Sequence, residues 1–125
     1  MSRRKKTARQ TMPPDALVCL LSGKRMRCST EQALQDDIEI VLAAAGASYI
    51  REHYLGAKTG RIDFMVGNTG LEIKVKGDAR DIHRQCVRYC EHPSIDVLVL
   101  ATTRPVRLPA LSKPVFILDL SRAWL

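Results

Sequence analysis

Two short segments near the middle of the chain carry residue types that can hold a metal ion and activate water. Asp63 lies in the segment 61–66, and Glu72 and Lys74 lie in the segment 71–76. Carboxylate oxygens are the ligands that Mg²⁺ prefers, and a lysine ammonium group beside them can orient a water molecule and stabilise negative charge. We therefore expect a metal-plus-water site if the fold brings the two segments together.

Both segments alternate polar and apolar residues, which is the pattern of half-buried β-strands. The residues between them, Gly-Asn-Thr-Gly at 67–70, favour a turn, so we predict a hairpin in which Val66 pairs with Leu71. This register places Asp63 opposite Lys74, where an ordinary cross-strand ion pair is the alternative interpretation. The two predicted faces are a polar one with Arg61, Asp63, Met65, Glu72, Lys74 and Lys76, and an apolar one with Ile62, Phe64, Val66, Leu71, Ile73 and Val75.

A helix is predicted before the hairpin, over about residues 30–45. Ser29 and Gln32 form a capping-box pattern at its start, and Gly46 is a natural stop. At about 100° per residue, Glu31 falls at the edge of the apolar stripe of this helix. A carboxylate beside the buried face of a first helical turn indicates a role at the site.

A second helix is predicted after the hairpin, over about residues 79–91, with Asp78 as its N-cap. Gln85 and Tyr89 are four residues apart and therefore share one face of this helix. A basic stripe runs beside them and consists of Arg80, Arg84 and Arg88. An exposed charged face is the ordinary interpretation of such a stripe, and contact with phosphates is the functional one.

The remaining elements define the expected fold class. Strands are predicted at 48–55, 95–101 and 115–118, which gives the order α-β-β-β-α-β-β. A helix between the third and fourth strands favours a right-handed crossover to a parallel strand. We therefore predict an α/β domain with a mixed sheet flanked by helices.

The positive charge of the chain is concentrated at one end. Residues 1–28 contain eight Lys or Arg and a single acid, which accounts for the whole net charge of +7, so we predict a basic, partly disordered arm at 1–28 and a domain at 29–125. Such an arm suits salt-sensitive contacts with phosphates, although a tail that only aids solubility is the alternative. The predicted nucleic-acid-binding residues are Arg3, Arg4, Lys5, Lys6, Lys24, Arg25, Arg27, Lys76, Arg80, Arg84 and Arg88.

The element order, Asp63 and the triplet Glu72-Ile73-Lys74 together resemble the core of the PD-(D/E)XK nuclease superfamily, with its restriction-endonuclease-like fold. Glu31 with Gln35 is similar to the E-x-x-x-Q pattern of the resolvase-like and VRR-type branches. Two residues of the second helix, Gln85 and Tyr89, are similar to the Q-x-x-x-Y of RecB-like branches. The resemblance covers about residues 29–101, and isoleucine stands at position 62, where a proline often precedes the aspartate in this superfamily.

The resemblance implies a role for each matching residue. Mg²⁺, with Mn²⁺ as a substitute, would be held by Asp63, Glu72, the carbonyl group of Ile73 and Glu31. Lys74 would act on the attacking water, and Gln85 would fix that water or the scissile phosphate. The supporting residues would be Gln35 and Tyr89.

The implied activity is that of a Mg²⁺-dependent endonuclease that hydrolyses DNA. The small size of the chain favours recognition of DNA structure, such as branches, junctions, flaps or nicks in repair or recombination, or targeting by a protein partner. One active site cuts one strand, which favours a homodimer. No apolar run approaches the roughly 20 residues of a membrane span, and we expect a cytoplasmic protein. The alternatives are a non-catalytic nucleic-acid-binding module on the same fold and a basic-tailed assembly protein.

Overall fold

The computed structural model describes residues 12–104 and 106–121. Its elements, in chain order, are α1 (Pro14–Ser22), α2 (Glu31–Ala44), β1 (Ile50–Tyr54), β2 (Arg61–Val66), β3 (Thr69–Lys74), α3 (Ala79–Cys90), β4 (Val97–Thr102) and β5 (Val115–Asp119). The five strands form one sheet in the order β1-β2-β3-β4-β5. β1, β2 and β3 are antiparallel neighbours, whereas β3, β4 and β5 are parallel neighbours. The prediction of an α/β fold with a mixed sheet flanked by helices is confirmed, and α1 is an additional element.

Helices cover both faces of the central strands. On one face, α1 and α2 bury an aliphatic cluster that includes Leu17 and Leu34, against β2 and β3 residues such as Phe64. On the other face, α3 buries Ile82 and Cys86 against residues that include Met65. The prediction of half-buried strands is wrong for β3, which is buried at every residue except Lys74, because α3 packs over the polar face of the hairpin.

The register of the β2–β3 hairpin differs from the prediction by two residues. Val66 pairs with Thr69, and Phe64 pairs with Leu71. The turn consists of two residues, and Gly67 adopts the positive φ of 63° that two-residue hairpin turns require at one or both central positions. Because side chains alternate with period two, an even shift keeps each residue of a regular strand on its face. The shift nevertheless brings Asp63 level with the glutamate of the triplet instead of the lysine.

Ile62 lies on the opposite side of the sheet from its predicted face. It packs with Met65 in the cluster beneath α3, whereas Phe64 and Val66 belong to the cluster beneath α2. The paired register of β2 and β3 runs only from Val66 to Phe64, and the backbone N–H of the next residue, Asp63, donates to a side chain instead. The alternation of β2 is therefore broken at Asp63.

The helix ends follow local capping chemistry. The N-cap of α2 is Thr30, whose hydroxyl oxygen accepts from the N–H of Ala33 at 3.0 Å. The predicted Ser29 capping box is thus wrong by one residue, because Thr30 is the residue with the extended backbone that directs its side chain to the first turn. The prediction for α3 is confirmed, since Asp78 accepts from the N–H of Asp81 at 2.9 Å.

The second half of the predicted basic arm belongs to the folded domain. Leu17 and Leu21 of α1 are completely buried, and Met26 is buried with them. Residues 1–11, which contain the predicted contacts Arg3, Arg4, Lys5 and Lys6, lie outside the described residues. Within the part of the chain that the structure describes, no helix is both long enough and apolar enough to cross a bilayer.

Candidate active site

Asp63 and Glu72 are joined by hydrogen bonds between their side chains and the neighbouring backbone. Glu72 Oε1 accepts from the backbone N–H of Asp63 at 3.2 Å, and Asp63 Oδ2 accepts from the backbone N–H of Ile73 at 2.8 Å. These contacts continue the connection between β2 and β3 where the paired register ends. The two carboxylates are therefore held side by side on adjacent strands in the interior of the sheet.

Glu72 lies in a buried and polar environment. Its residue is only 4% exposed, its Oε1 is 3.1 Å from the Tyr89 hydroxyl, and its Oε2 is 3.4 Å from Lys74 Nζ. Burial raises the pKa of Glu72, and the neighbouring charge of Asp63 raises it further, whereas the charge of Lys74 acts in the opposite direction. The Glu72 carboxyl therefore retains a proton at pH values where an exposed glutamate is ionised.

Asp63 is half-buried, and its other carboxylate oxygen, Oδ1, accepts from Gln35 Nε2 at 2.9 Å. Burial raises the pKa of Asp63, while the N–H of Ile73 opposes the increase. The nearby charges of Glu31 and Glu52 raise this pKa, and the charge of Lys74 lowers it. Three further charged groups thus lie within electrostatic reach of Asp63.

Tyr89 and Gln85 support Glu72 from α3. The Gln85 amide nitrogen donates to the Tyr89 hydroxyl at 3.0 Å, and that hydroxyl lies 2.9 Å from the carbonyl oxygen of Arg61 and 3.1 Å from Glu72 Oε1. A hydroxyl has one proton to donate, so it cannot donate to both acceptors at once, and a protonated Glu72 can supply the second hydrogen bond. Gln85 therefore supports Glu72 through Tyr89, while its predicted contact with water or phosphate stays a prediction.

Glu31 meets the end of β3, as its place in the first turn of α2 allows. Its Oε2 accepts from the backbone N–H of Val75 at 3.2 Å, directly after the strand that carries Glu72 and Lys74. Together with its electrostatic effect on the pKa of Asp63, this contact places Glu31 at the candidate site. The structure thus brings together the eight sequence-predicted site residues, which are Asp63, Glu72, Lys74, Glu31, Gln35, Ile73, Gln85 and Tyr89.

The sequence interpretation missed Arg51. Its guanidinium group donates to Gln35 Oε1 from Nε at 3.2 Å and from Nη2 at 3.0 Å. Its Nη1 lies 2.9 Å from both Asp36 Oδ1 and Glu39 Oε1. The sequence signal for it was weak: Asp36 and Glu39 point away from the apolar stripe of α2 and had no assigned partner.

Glu52 lies on β1, the strand next to the one that carries Asp63, and its backbone is unusual. It has a positive φ of 57°, which is uncommon for a residue other than glycine. The β1–β2 register runs from Arg51–Phe64 to His53–Ile62, so that Glu52 lies at the level of Asp63. No feature of the sequence predicts this backbone conformation for a glutamate.

The carboxylates of Asp63 and Glu72 are of the chemical type that binds a hard cation. The described residues nevertheless contain no group of three or more His, Cys, Asp or Glu side chains arranged to hold one. Asp63 Oδ1 and Oδ2 and Glu72 Oε2 each have one donor or cation from the described protein. A carboxylate oxygen has two lone pairs, so each of these oxygens retains one for a metal ion. The carbonyl group of Ile73 as a ligand stays a prediction.

The described basic residues that were predicted to bind nucleic acid are exposed. They are Lys24, Arg25, Arg27, Lys76, Arg80, Arg84 and Arg88. Two of them have acidic partners, since Arg27 pairs with Asp37 and Arg84 pairs with Asp81, each at 2.8 Å. The stripe on α3 is therefore less positive at its centre than the sequence indicates.

Comparison with known proteins gave no match to this chain among protein-family models, curated proteins or solved structures.

Proposed function

We propose that this protein is a metal-dependent nuclease that cuts DNA, on a restriction-endonuclease-like core of the PD-(D/E)XK type. The observation that carries the proposal is the junction of Asp63 and Glu72 on adjacent strands, with the Lys74 ammonium group 3.4 Å from the Glu72 carboxylate. Buried like charges are costly, and a site that holds two carboxylates together is suited to a ligand that relieves their repulsion.

A divalent cation bound there would neutralise phosphate charge and lower the pKa of a water molecule. Asp63 and Glu72 would hold it, with Glu31 at the same site. Lys74 is only 20% exposed in its side chain, so its ammonium group would face a substrate phosphate and orient the water with little competition from solvent. Tyr89 would keep Glu72 in place, with Gln85 fixing the Tyr89 hydroxyl.

The proposed substrate is DNA of altered structure, such as a branch, junction, flap or nick. The exposed cations of α3 lie on the helix that also carries the supports of Glu72, so the same helix would contact phosphates and position the site. One such site cuts one strand, so the proposal includes pairing of two copies when both strands are cut.

The test is a cleavage assay with purified protein, Mg²⁺ or Mn²⁺, and labelled linear, nicked, flap and four-way DNA, with RNA in parallel. The site variant is Glu72→Gln, and the matched control is Glu91→Gln, because Glu91 is an exposed glutamate. We expect cleavage of at least one structured DNA by the wild-type and control proteins and its loss in Glu72→Gln. Equal cleavage by Glu72→Gln, or absence of cleavage on every substrate, would contradict the proposal.

A non-catalytic nucleic-acid-binding module is the second candidate, and one observation favours it. Each of the four oxygens of Asp63 and Glu72 already meets a donor or a cation of the protein. A site of this kind is satisfied without a metal ion. Calorimetric titration with Mn²⁺ separates the two candidates, because only the nuclease requires binding that Asp63→Asn removes.

A further inference from the structure

We propose that Arg51 is a positioning residue that fixes the direction of the Gln35 side-chain amide and thereby holds Asp63 in place in the candidate site. The inference rests on the proposed function in one respect, since it assigns Arg51 to the organisation of a catalytic aspartate. The contacts that carry it are hydrogen bonds between β1, α2 and β2.

An amide side chain has a donor end and an acceptor end that point in opposite directions. Gln35 is only 6% exposed, and its amide lies between Arg51 and Asp63. A guanidinium group has five N–H donors and no acceptor, so only the oxygen of Gln35 can face it. The nitrogen of Gln35 must then face Asp63 Oδ1, where it donates at 2.9 Å.

Arg51 is itself held from several sides. Nη1 contacts Asp36 and Glu39, each at 2.9 Å, and the guanidinium carbon lies 6.0 Å from the centroid of the Phe64 ring. Glu39 is in turn fixed by the Tyr49 hydroxyl, which donates to it at 2.7 Å. These contacts hold the guanidinium group in its direction toward Gln35.

With Arg51 in place, the group of Gln35 that faces Asp63 is always the N–H donor and never the carbonyl oxygen. If Arg51 lost its guanidinium group, the Gln35 amide would be free to turn its oxygen toward Asp63. An ionised carboxylate repels that oxygen, whereas an amide introduced at position 63 would accept the turned orientation. The cost of Asp63→Asn therefore depends on Arg51, and it does so through Gln35.

The experiment measures unfolding in urea, without reference to cleavage. The first double-mutant cycle combines Asp63→Asn and Arg51→Met in a protein that retains Gln35. The second cycle combines the same two substitutions in a protein that carries Gln35→Met, a substitution of similar size that removes the amide. With Gln35 present, we expect the effects of Asp63→Asn and Arg51→Met on the unfolding equilibrium constant to deviate from additivity by about five- to tenfold. With Gln35→Met, we expect the deviation from additivity to fall to about twofold or less. This remainder is the direct effect of the Arg51 charge on Asp63, which does not need the Gln35 amide.

An equal deviation in both backgrounds would show that Arg51 acts on Asp63 only through its charge and would overturn the proposal, as would full additivity with Gln35 present. If an Arg51→Met protein does not fold, Arg51→Gln replaces it, because a glutamine there still has a donor for Glu39 and also an acceptor. Arg51→Lys retains a donor and no acceptor, so we expect it to behave as wild type. Since no arm requires nuclease activity, a failure here is distinguishable from a failure of the proposed function.

Discussion

Glu72 accepts a hydrogen bond from the backbone N–H of Asp63, and the two carboxylates are thereby held on adjacent strands beneath helices on both faces of the sheet. The contact holds together two groups of like charge in a buried place, where repulsion is strong. The pKa of each group is raised, with burial as the largest cause in both. A proton on Glu72 relieves this repulsion in the free protein, and a divalent cation would do so in the proposed enzyme.

Glu72→Gln is expected to abolish cleavage without loss of stability. The substituted amide still has an oxygen that can accept from the Asp63 N–H, and it cannot ionise in this buried place. We expect at least a hundredfold loss of cleavage, in line with the loss of an electrostatic group at a reacting centre, and a free energy of unfolding at pH 7 that is unchanged or higher by about 1 kcal/mol. Urea unfolding and the cleavage assay measure the two effects. A marked loss of stability would instead indicate that the ionised carboxylate holds the fold together.

Lys74→Met is expected to remove cleavage while Mn²⁺ binding persists. The ammonium group contacts Glu72 but is not a metal ligand, so its loss affects charge stabilisation and the water rather than the carboxylate pair. Lys76→Met is the matched control, because Lys76 is an exposed lysine just beyond the end of β3. We expect at least a hundredfold loss for the first variant and less than fivefold for the second. Equal losses in the two variants would assign both lysines to DNA binding alone.

Tyr89→Phe is expected to destabilise the protein by about 1–3 kcal/mol, because it removes a buried hydroxyl with three polar neighbours and leaves some of them unsatisfied. Tyr54→Phe is the control, because Tyr54 is 56% exposed. We expect this substitution to change the free energy of unfolding by no more than about 0.5 kcal/mol. Urea unfolding curves give both values. If the two variants were equally stable, the Tyr89 hydroxyl would not be a structural support of Glu72.

The stability of the metal-free protein is expected to fall as pH rises above about 4, the ordinary carboxyl pKa. With the pKa values of Asp63 and Glu72 raised, the folded state keeps protons that the unfolded state has released. The free energy of unfolding then decreases with pH, by at most about 1.4 kcal/mol per pH unit for each proton. Asp37 and Glu39 affect the free energy of unfolding in the opposite sense, because their pKa values are lowered in the folded state. The stability that they contribute is lost only at more acidic pH.

Urea unfolding between about pH 5 and pH 8, with and without Mg²⁺, tests this dependence. We expect Glu72→Gln to flatten it and Mg²⁺ to stabilise the wild-type protein most at the alkaline end, where the carboxylates have released their protons. A flat profile for the metal-free wild-type protein would show that neither carboxyl titrates above its ordinary range.

Neutralising the stripe on α3 is expected to weaken DNA binding and its dependence on salt. The variant carries glutamine in place of Arg80, Arg84 and Arg88, and the control is Arg107→Gln, an exposed arginine of the loop before β5. Each lost phosphate contact should reduce the slope of log affinity against log salt by about 0.9. Arg84 already pairs with Asp81, so we expect Arg84 to contribute less to this slope than Arg80 and Arg88. A slope that does not change would exclude the stripe from the interface.

The sequence by itself determined the elements and the residue types of the candidate site. Hydrophobic periodicity predicted α2, α3 and the strands, and the Asp78 cap fixed the start of α3, because these features depend on neighbours a few residues apart. The hairpin predicted from the pattern of β2 and β3 brought Asp63, Glu72 and Lys74 near one another, although its register differs by two residues and the alternation of β2 is broken at Asp63. The α/β class followed from the order of the elements.

Only the tertiary structure decided how the site is arranged. The two-residue turn, which brings Asp63 level with Glu72, was not resolved by a Gly-Asn-Thr-Gly sequence that suits both two- and four-residue turns. The burial of Glu72 depends on α3 packing over the sheet, and the link from Arg51 through Gln35 to Asp63 joins residues up to 28 positions apart. Such contacts depend on how whole elements pack, and the pKa of a carboxyl depends on every group that packing brings near it, so neither can be read from local sequence pattern.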